Sequence, residues 1–147
     1  MKVVDHSFEA SEMDEDLNIA IFVTPEYEQF LDLMYIPTIP NDIKKVHLLR
    51  SDYQKRDVGL AGKTHEAFYK KMMKDRWHLH YDCIVQNKGK TILFTDVDII
   101  FLRKFKDDLL HSLENYDMVW QSAREPAHAS DLCGGFWAVK ANDAVIE

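Results

Sequence analysis

Four short apolar runs, separated by stretches of helical period, set the limits on this fold. Ile19-Ala20-Ile21-Phe22-Val23-Thr24, Thr91-Ile92-Leu93-Phe94-Thr95 and Phe136-Trp137-Ala138-Val139 are continuous rather than alternating, the first two rich in β-branched residues, and Val46 to Leu49 read as a further strand with His47 as its one polar member. A strand wetted on one face alternates polar and apolar residues, whereas a continuous run belongs to a strand covered on both faces. After the first run, Pro25 suits the first turn of a helix, and Tyr27, Phe30, Leu31, Met34 and Tyr35 recur at helical spacing. Pro37 and Pro40 are expected to stop that helix. After Leu49, a polar loop with Gly59 and Gly62 leads to Thr64 as an N-cap with Glu66 in the first turn. The helix expected there reaches Asn87, with Phe68, Met72, Met73, Trp77, Tyr81, Ile84 and Val85 facing inward and Gly89 as its stop. A short helix over 107–113, a strand over 118–120 and a last helix opened by Asn142 complete the pattern. Strands alternating with helices predict an α/β fold, a Rossmann-like mixed, largely parallel sheet flanked by helices.

With 147 residues the chain can build one core, and there is no internal repeat or linker. Residues 1–17 are polar and acidic, with Glu12, Asp14, Glu15 and Asp16, and read as a lead-in with a short edge segment at Val3-Val4. Residues 18–147 are the expected domain. The chain stops within the first turns of its last helix, so that domain is expected to fall short at its C-terminus. Net charge is −7, which gives no electrostatic footprint for nucleic acid or an anionic membrane. A bound anion therefore needs a local arrangement, or a metal ion placed between two negative groups. No apolar run approaches the ~18 residues of a membrane helix, and no apolar segment follows Met1-Lys2. Cys83 and Cys133 are too few for a disulfide framework. The expectation is a cytoplasmic chain with free thiols.

The chemistry is carried by Asp96-Val97-Asp98. The bare triplet means little in a chain with 16 Asp, and Asp14-Glu15-Asp16 is a second copy on an acidic stretch. Context distinguishes the two. Asp96 and Asp98 directly follow a doubly buried strand, at the carboxyl end where α/β sheets place ligands. In an extended segment both carboxylates would project to one side, where they repel unless a proton or a cation lies between them. Mg²⁺ or Mn²⁺ suits such a pair, with phosphate oxygens and water filling the remaining positions. The plainer alternative pairs these carboxylates with Arg103 or Lys104.

The segment Ile92-Leu93-Phe94-Thr95-Asp96-Val97-Asp98-Ile99-Ile100-Phe101-Leu102-Arg103 resembles the Asp-x-Asp region of nucleotide-diphospho-sugar transferases with the A-type glycosyltransferase fold. The long helix ending in Asn87-Lys88-Gly89-Lys90, residues 116–122, and Cys133-Gly134-Gly135-Phe136-Trp137 extend the resemblance on either side. It implies a metal-dependent glycosyltransferase moving a sugar from a UDP-sugar donor to a glycan or glycoprotein hydroxyl. Thr95-Asp96-Val97-Asp98 would hold the donor diphosphate, with Asp96 and Asp98 on Mn²⁺ or Mg²⁺. Thr24 would approach the uracil or ribose; Arg50, Ser51 and Asp52 would border the nucleoside, and Arg76 would be a basic nucleotide contact. Gly134 and Gly135 would let backbone pass close to the donor, with Gln121 and Asp131 bordering the sugar. Asp131 would act as catalytic base if the reaction inverts the anomeric carbon. Trp137 is either a stacking face for sugar or a core residue. Relatives often add a histidine far downstream as a third ligand; after the motif this sequence has only His111 and His128. Two alternatives remain at this level: a haloacid-dehalogenase-like phosphatase, whose nucleophile and acid also form Asp-x-Asp, and a non-catalytic nucleotide-sugar-binding remnant.

Overall fold

The computed structural model describes residues 2–5, 17–51, 62–122 and 132–147, with side chains from residue 17 onward and, in the long helix, from residue 69. Among these, β1 (Lys2–Asp5), β2 (Leu17–Val23), β3 (Lys45–Arg50), β4 (Thr91–Thr95), β5 (Met118–Ser122) and β6 (Leu132–Lys140) form one sheet in the order β1-β3-β2-β4-β6-β5. The pairs β1–β3, β3–β2 and β2–β4 are parallel, while β4–β6 and β6–β5 are antiparallel. This is the mixed, largely parallel α/β sheet that the alternation of runs predicts.

Both faces are covered, as the continuous runs require. Ile19, Ile21 and Val23 of β2, Val46 and Leu48 of β3, and Leu93 of β4 pack on one face against Leu31 and Tyr35. Ala20, Leu49, Ile92, Phe94, Trp137 and Val139 pack on the other against Cys83 and Ile84 of the long helix α3 (Gly62–Gln86). The β2–β3 connection lies on the first face. It is a helical run made of a 3-10 turn (Pro25–Tyr27), α1 (Glu28–Phe30), a π turn (Leu31–Tyr35) and α2 (Ile36–Thr38). Pro37 does not stop this helix, contrary to the sequence reading. A proline can neither donate to the carbonyl four residues back nor sit beside it without a clash. The turn before it is widened instead, with the Ile36 N–H bonding to Leu31 O, five residues away. The run ends before Pro40, where Ile39 becomes extended.

Of the residues expected to face inward on α3, Ile84 is buried and Met72 and Met73 are half-buried, but the buried stripe is centred elsewhere. Arg76, His80, Cys83, Ile84 and Asn87 are buried, whereas Trp77, Tyr81 and Val85 are exposed. The stripe keeps helical period, but three of its five members are polar, so an apolar count places it on the neighbouring face. The Asn87 side-chain amide donates to Cys83 O at 2.7 Å, serving one of the open carbonyls at the helix end. Gly89 then turns the chain with φ +88°, a conformation open to glycine, and its N–H reaches Ala141 O at 2.6 Å. The Cys83 thiol is inert, its pKa pushed up to about 12 by burial. Beyond β4 come α4 (Lys106–Leu113) and α5 (Asp143–Ile146), the latter opened by Asn142.

Rings hold α3 to the sheet. His80, Phe94, Trp137 and Trp120 stack in succession, with centroid distances of 4.3, 4.5 and 4.6 Å, and Trp77 lies against the side of the column. Each such contact contributes ~0.5–1.5 kcal/mol beyond area burial. Trp137 is thus a core residue and offers no face to a sugar. Neither ring nitrogen of His80 has a hydrogen-bond partner among the described residues. Burial, reinforced by the nearby Arg76 cation, pushes its pKa down from 6.5 to about 3.

The unfolded chain therefore takes up a proton below about pH 6.5 that the folded chain refuses until about pH 3. Stability contributed by neutral His80 is complete above that window and falls as the pH drops through it, by about 1.4 kcal/mol per unit. The variant His80→Phe keeps a ring in the column and removes this slope. Its urea midpoint should gain on wild type between pH 7 and pH 5 by an amount equivalent to about 2 kcal/mol. A difference between the two proteins that is the same at both pH values would refute the assignment.

Candidate donor and metal site

From β2 the chain winds outward to β3, then returns across to β4 on the other side of β2. The direction of winding reverses between β2 and β4, and their carboxyl ends open the crevice where such sheets bind ligands. Thr24 follows β2 there and Asp96 follows β4. The ladder runs one step beyond β4, since the Asp96 N–H donates to Gly135 O at 2.9 Å. Val97 and Asp98 then form a turn, so the extended geometry expected across the triplet ends at Asp96. The buried Val97 side chain anchors the turn in the core, and both carboxylates still line one pocket.

Arg76 reaches this turn from α3. Its side chain is only 10% exposed, and Nη2 pairs with Asp96 Oδ1 at 2.6 Å while donating to Gly134 O at 3.0 Å. Its Nε is buried without a partner among the described residues. A guanidinium that far from water needs its charge matched, and Asp96 supplies the match. The cation on Asp96 is thus Arg76 rather than Arg103 or Lys104. Gly135 makes room for this carboxylate: a Cβ added there would fall 3.0 Å from Asp96 Cγ. At Gly134 an added Cβ would meet Trp77 Cζ2 at 3.7 Å, an ordinary contact.

The pocket joins Thr24, Arg76, Asp96, Val97 and Asp98, five of the residues singled out from sequence. Gly134 and Gly135 back it through Arg76 and Asp96. Thr95 faces away, its hydroxyl bonded to Tyr35 on the opposite face of the sheet. Arg50 pairs with Glu28, and Ser51 N–H bonds to Val23 O at 2.9 Å, so both tie β3 to its surroundings outside the pocket. Gln121 lines a separate apolar groove beyond the turn, with Ile99, Phe105 and Phe136. Asp52 and Asp131 lie outside the described residues, as does His128. His111 is exposed at the end of α4, beside Glu114.

Five further lining residues escaped the sequence reading: Phe22, Tyr27, Tyr69, Met72 and Met73. The last three share a helical face with Arg76, at spacings of seven, four and three residues. Met72 and Met73, read from sequence as core filler, line the pocket instead. Among the described residues no group of three or more His, Cys, Asp or Glu could hold a metal ion. The donor set is two carboxylates, with no thiolate or imidazole. That set fits a hard divalent cation that completes its shell with phosphate oxygens and water.

A protein-family model described as nucleotide-diphospho-sugar transferase matches residues 43–147, which is 105 of the 147 residues. Comparison with curated proteins and with solved structures gives no significant match.

Neither Gly134 nor Gly135 has positive φ, so what Gly135 requires is space. Gly135→Ala must displace a carboxylate held by Arg76 and should cost about 1–3 kcal/mol in urea unfolding. Gly134→Ala should stay within about 1 kcal/mol. Equal losses at the two positions would show that the Asp96 contact does not govern.

Proposed function

The chain belongs to the nucleotide-diphospho-sugar transferase family, and from that premise we propose that it transfers a sugar from a UDP-sugar to a hydroxyl of a glycan or glycoprotein, with Mn²⁺ or Mg²⁺ held by Asp96 and Asp98. The observation that carries this reading is the convergence of both carboxylates with Thr24 and Arg76 in one pocket at the switch point of the sheet. Family membership favours glycosyl transfer over phosphatase chemistry.

The bond that breaks joins the anomeric carbon to the diphosphate, and the bond that forms joins that carbon to the acceptor oxygen. A divalent ion bound here supplies charge neutralisation for the departing diphosphate. The protein's part is to present the ligands. Arg76 fixes Asp96 and tethers it to the Gly134 carbonyl, so one member of the carboxylate pair is set before the donor arrives. Asp98 is exposed and has no ion-pair partner among the described residues, leaving its oxygens open to a cation. Thr24 closes the β2 side. Tyr27 and Tyr69, each about half exposed, bring flat rings to the rim on which a nucleobase can stack. If the reaction inverts the anomeric carbon, Asp131 takes the acceptor proton; a retaining reaction does not need it in that role.

Calorimetric titration of UDP into the chain should show binding with Mn²⁺ and none with EDTA. Asp98→Asn should weaken the metal-dependent binding at least about tenfold, by analogy with the loss of groups that support a metal ligand. Its melting temperature should be unchanged, because Asp98 is exposed. Equal UDP affinity in variant and wild type with Mn²⁺ present would refute the metal assignment. Metal-dependent UDP binding without turnover over a panel of UDP-sugars would identify a binding module instead of a catalyst.

A further inference from the structure

Past the Asp96 N–H bond to Gly135 O, the Arg76–Asp96 pair and the buried Val97 side chain, residues 98–105 have no helix or strand to fix them. Arg76 offsets the charge of Asp96, but Asp98 has no ion-pair partner among the described residues, and a turn free beyond Val97 would let its carboxylate swing away from Asp96. Two side chains from the helical run before β3 hold the chain on either side of the Asp96–Asp98 turn. The buried Tyr35 hydroxyl bonds to Thr95 Oγ1 immediately before Asp96. Thr38 Oγ1 accepts the Phe101 N–H at 3.2 Å, three residues after Asp98. The Thr38 proton is directed to its own helix, at 3.0 Å from both Met34 O and Tyr35 O, which leaves a lone pair for Phe101. The Tyr35 ring also meets the Phe101 ring edge-on at 5.3 Å.

Neither residue lies in the pocket, and both precede the segment matched by the family model. They stand three apart, hence on one helical face. The π turn ahead of Pro37 sets where that face points, because it adds one residue to the turn that ends at Tyr35. Burial raises the pKa of the Tyr35 hydroxyl further above its ordinary value, so it stays protonated, and either hydroxyl can supply the hydrogen of its bond with Thr95.

We infer that Tyr35 and Thr38 are positioning residues, a pair of braces that hold the Asp96–Asp98 turn in the geometry that accepts a divalent cation. The inference rests on the metal reading above. It extends the site to the opposite face of the sheet, through hydrogen bonds that touch neither ion nor donor.

The test titrates Mn²⁺, in the presence of UDP, into the full chain and its variants, with thermal melts alongside. Thr38→Val keeps the shape and removes the acceptor, Thr38→Ser keeps the hydroxyl, and Tyr35→Phe keeps the ring contact and removes the bond to Thr95. Thr38→Val and Tyr35→Phe should each weaken Mn²⁺ binding about tenfold, the usual scale for groups that orient metal ligands. Thr38→Ser should restore it. In an Asp98→Asn background, Thr38→Val should add little, because the ligand it positions is already gone. Should Tyr35→Phe fail to fold, the Val and Ser variants at Thr38 decide alone. Lower melting temperatures with Mn²⁺ affinity unchanged, in a protein where Asp98→Asn does weaken it, would reduce the braces to structural contacts and overturn the inference. No effect of Asp98→Asn either would overturn the metal reading and the inference with it.

Discussion

Arg76 and Asp96 meet where three parts of the chain converge: the middle of the long helix, the end of the central strand β4, and the glycine pair of β6. Each part depends on the pair. Without Asp96 a buried guanidinium would be left unmatched, and without Arg76 the Asp96 carboxylate would face Asp98 with no counter-charge in place. Breaking fully buried pairs costs about 3–5 kcal/mol. Here Asp96 is 41% exposed, so water takes up part of that loss and the cost falls below that range. The pair also explains why a polar residue holds a buried position on α3. The helix docks at its middle through charge, further along through stacked rings, and at its end through Asn87 and the Gly89 turn.

Strands were legible in the sequence because burial on both faces leaves a mark that requires no knowledge of partners. The runs at β2, β3 and β4 fall where the structure has strands, to within two residues. Direction leaves no such mark. That β6 runs antiparallel between β4 and β5, and that it extends back through Gly134 to Leu132, follows from pairing with residues far away in sequence. The helices failed where polar groups were buried. Arg76, His80 and Asn87 hide the true inner face of α3, and Trp77, whose ring lies partly open against the column, imitates a core residue. Pro37 misled for another reason: a helix can admit proline by widening the turn ahead of it, and no local pattern announces that.

At the site, the sequence disclosed what stands next to a strand end. Thr24, Asp96 and Asp98 are of that kind, and strand topology alone brings them together. Arg76 was found through family resemblance, but its partner could not be seen, since the two lie 20 residues apart on different elements. Tyr27 and Tyr69 carry no charge and no motif, so only the folded crevice marks them out. Arg50 and Ser51 end a strand on the same edge of the sheet, one strand further from the switch point, and are occupied in holding β3 in place.

All three tryptophans of the chain belong to the ring column between α3 and the sheet, and Trp77 lies beside Gly134 behind the pocket. Their emission is therefore a local signal. Energy passed among rings 4.6–6.0 Å apart is reported from one place, the seam where the helix carrying Arg76 meets β5 and β6. A fluorescence-detected transition would follow the parting of that seam while β1 and β3, at the far end of the sheet, remain invisible to it. Agreement with far-ultraviolet circular dichroism would then be a test of whether the two ends of the sheet come apart together.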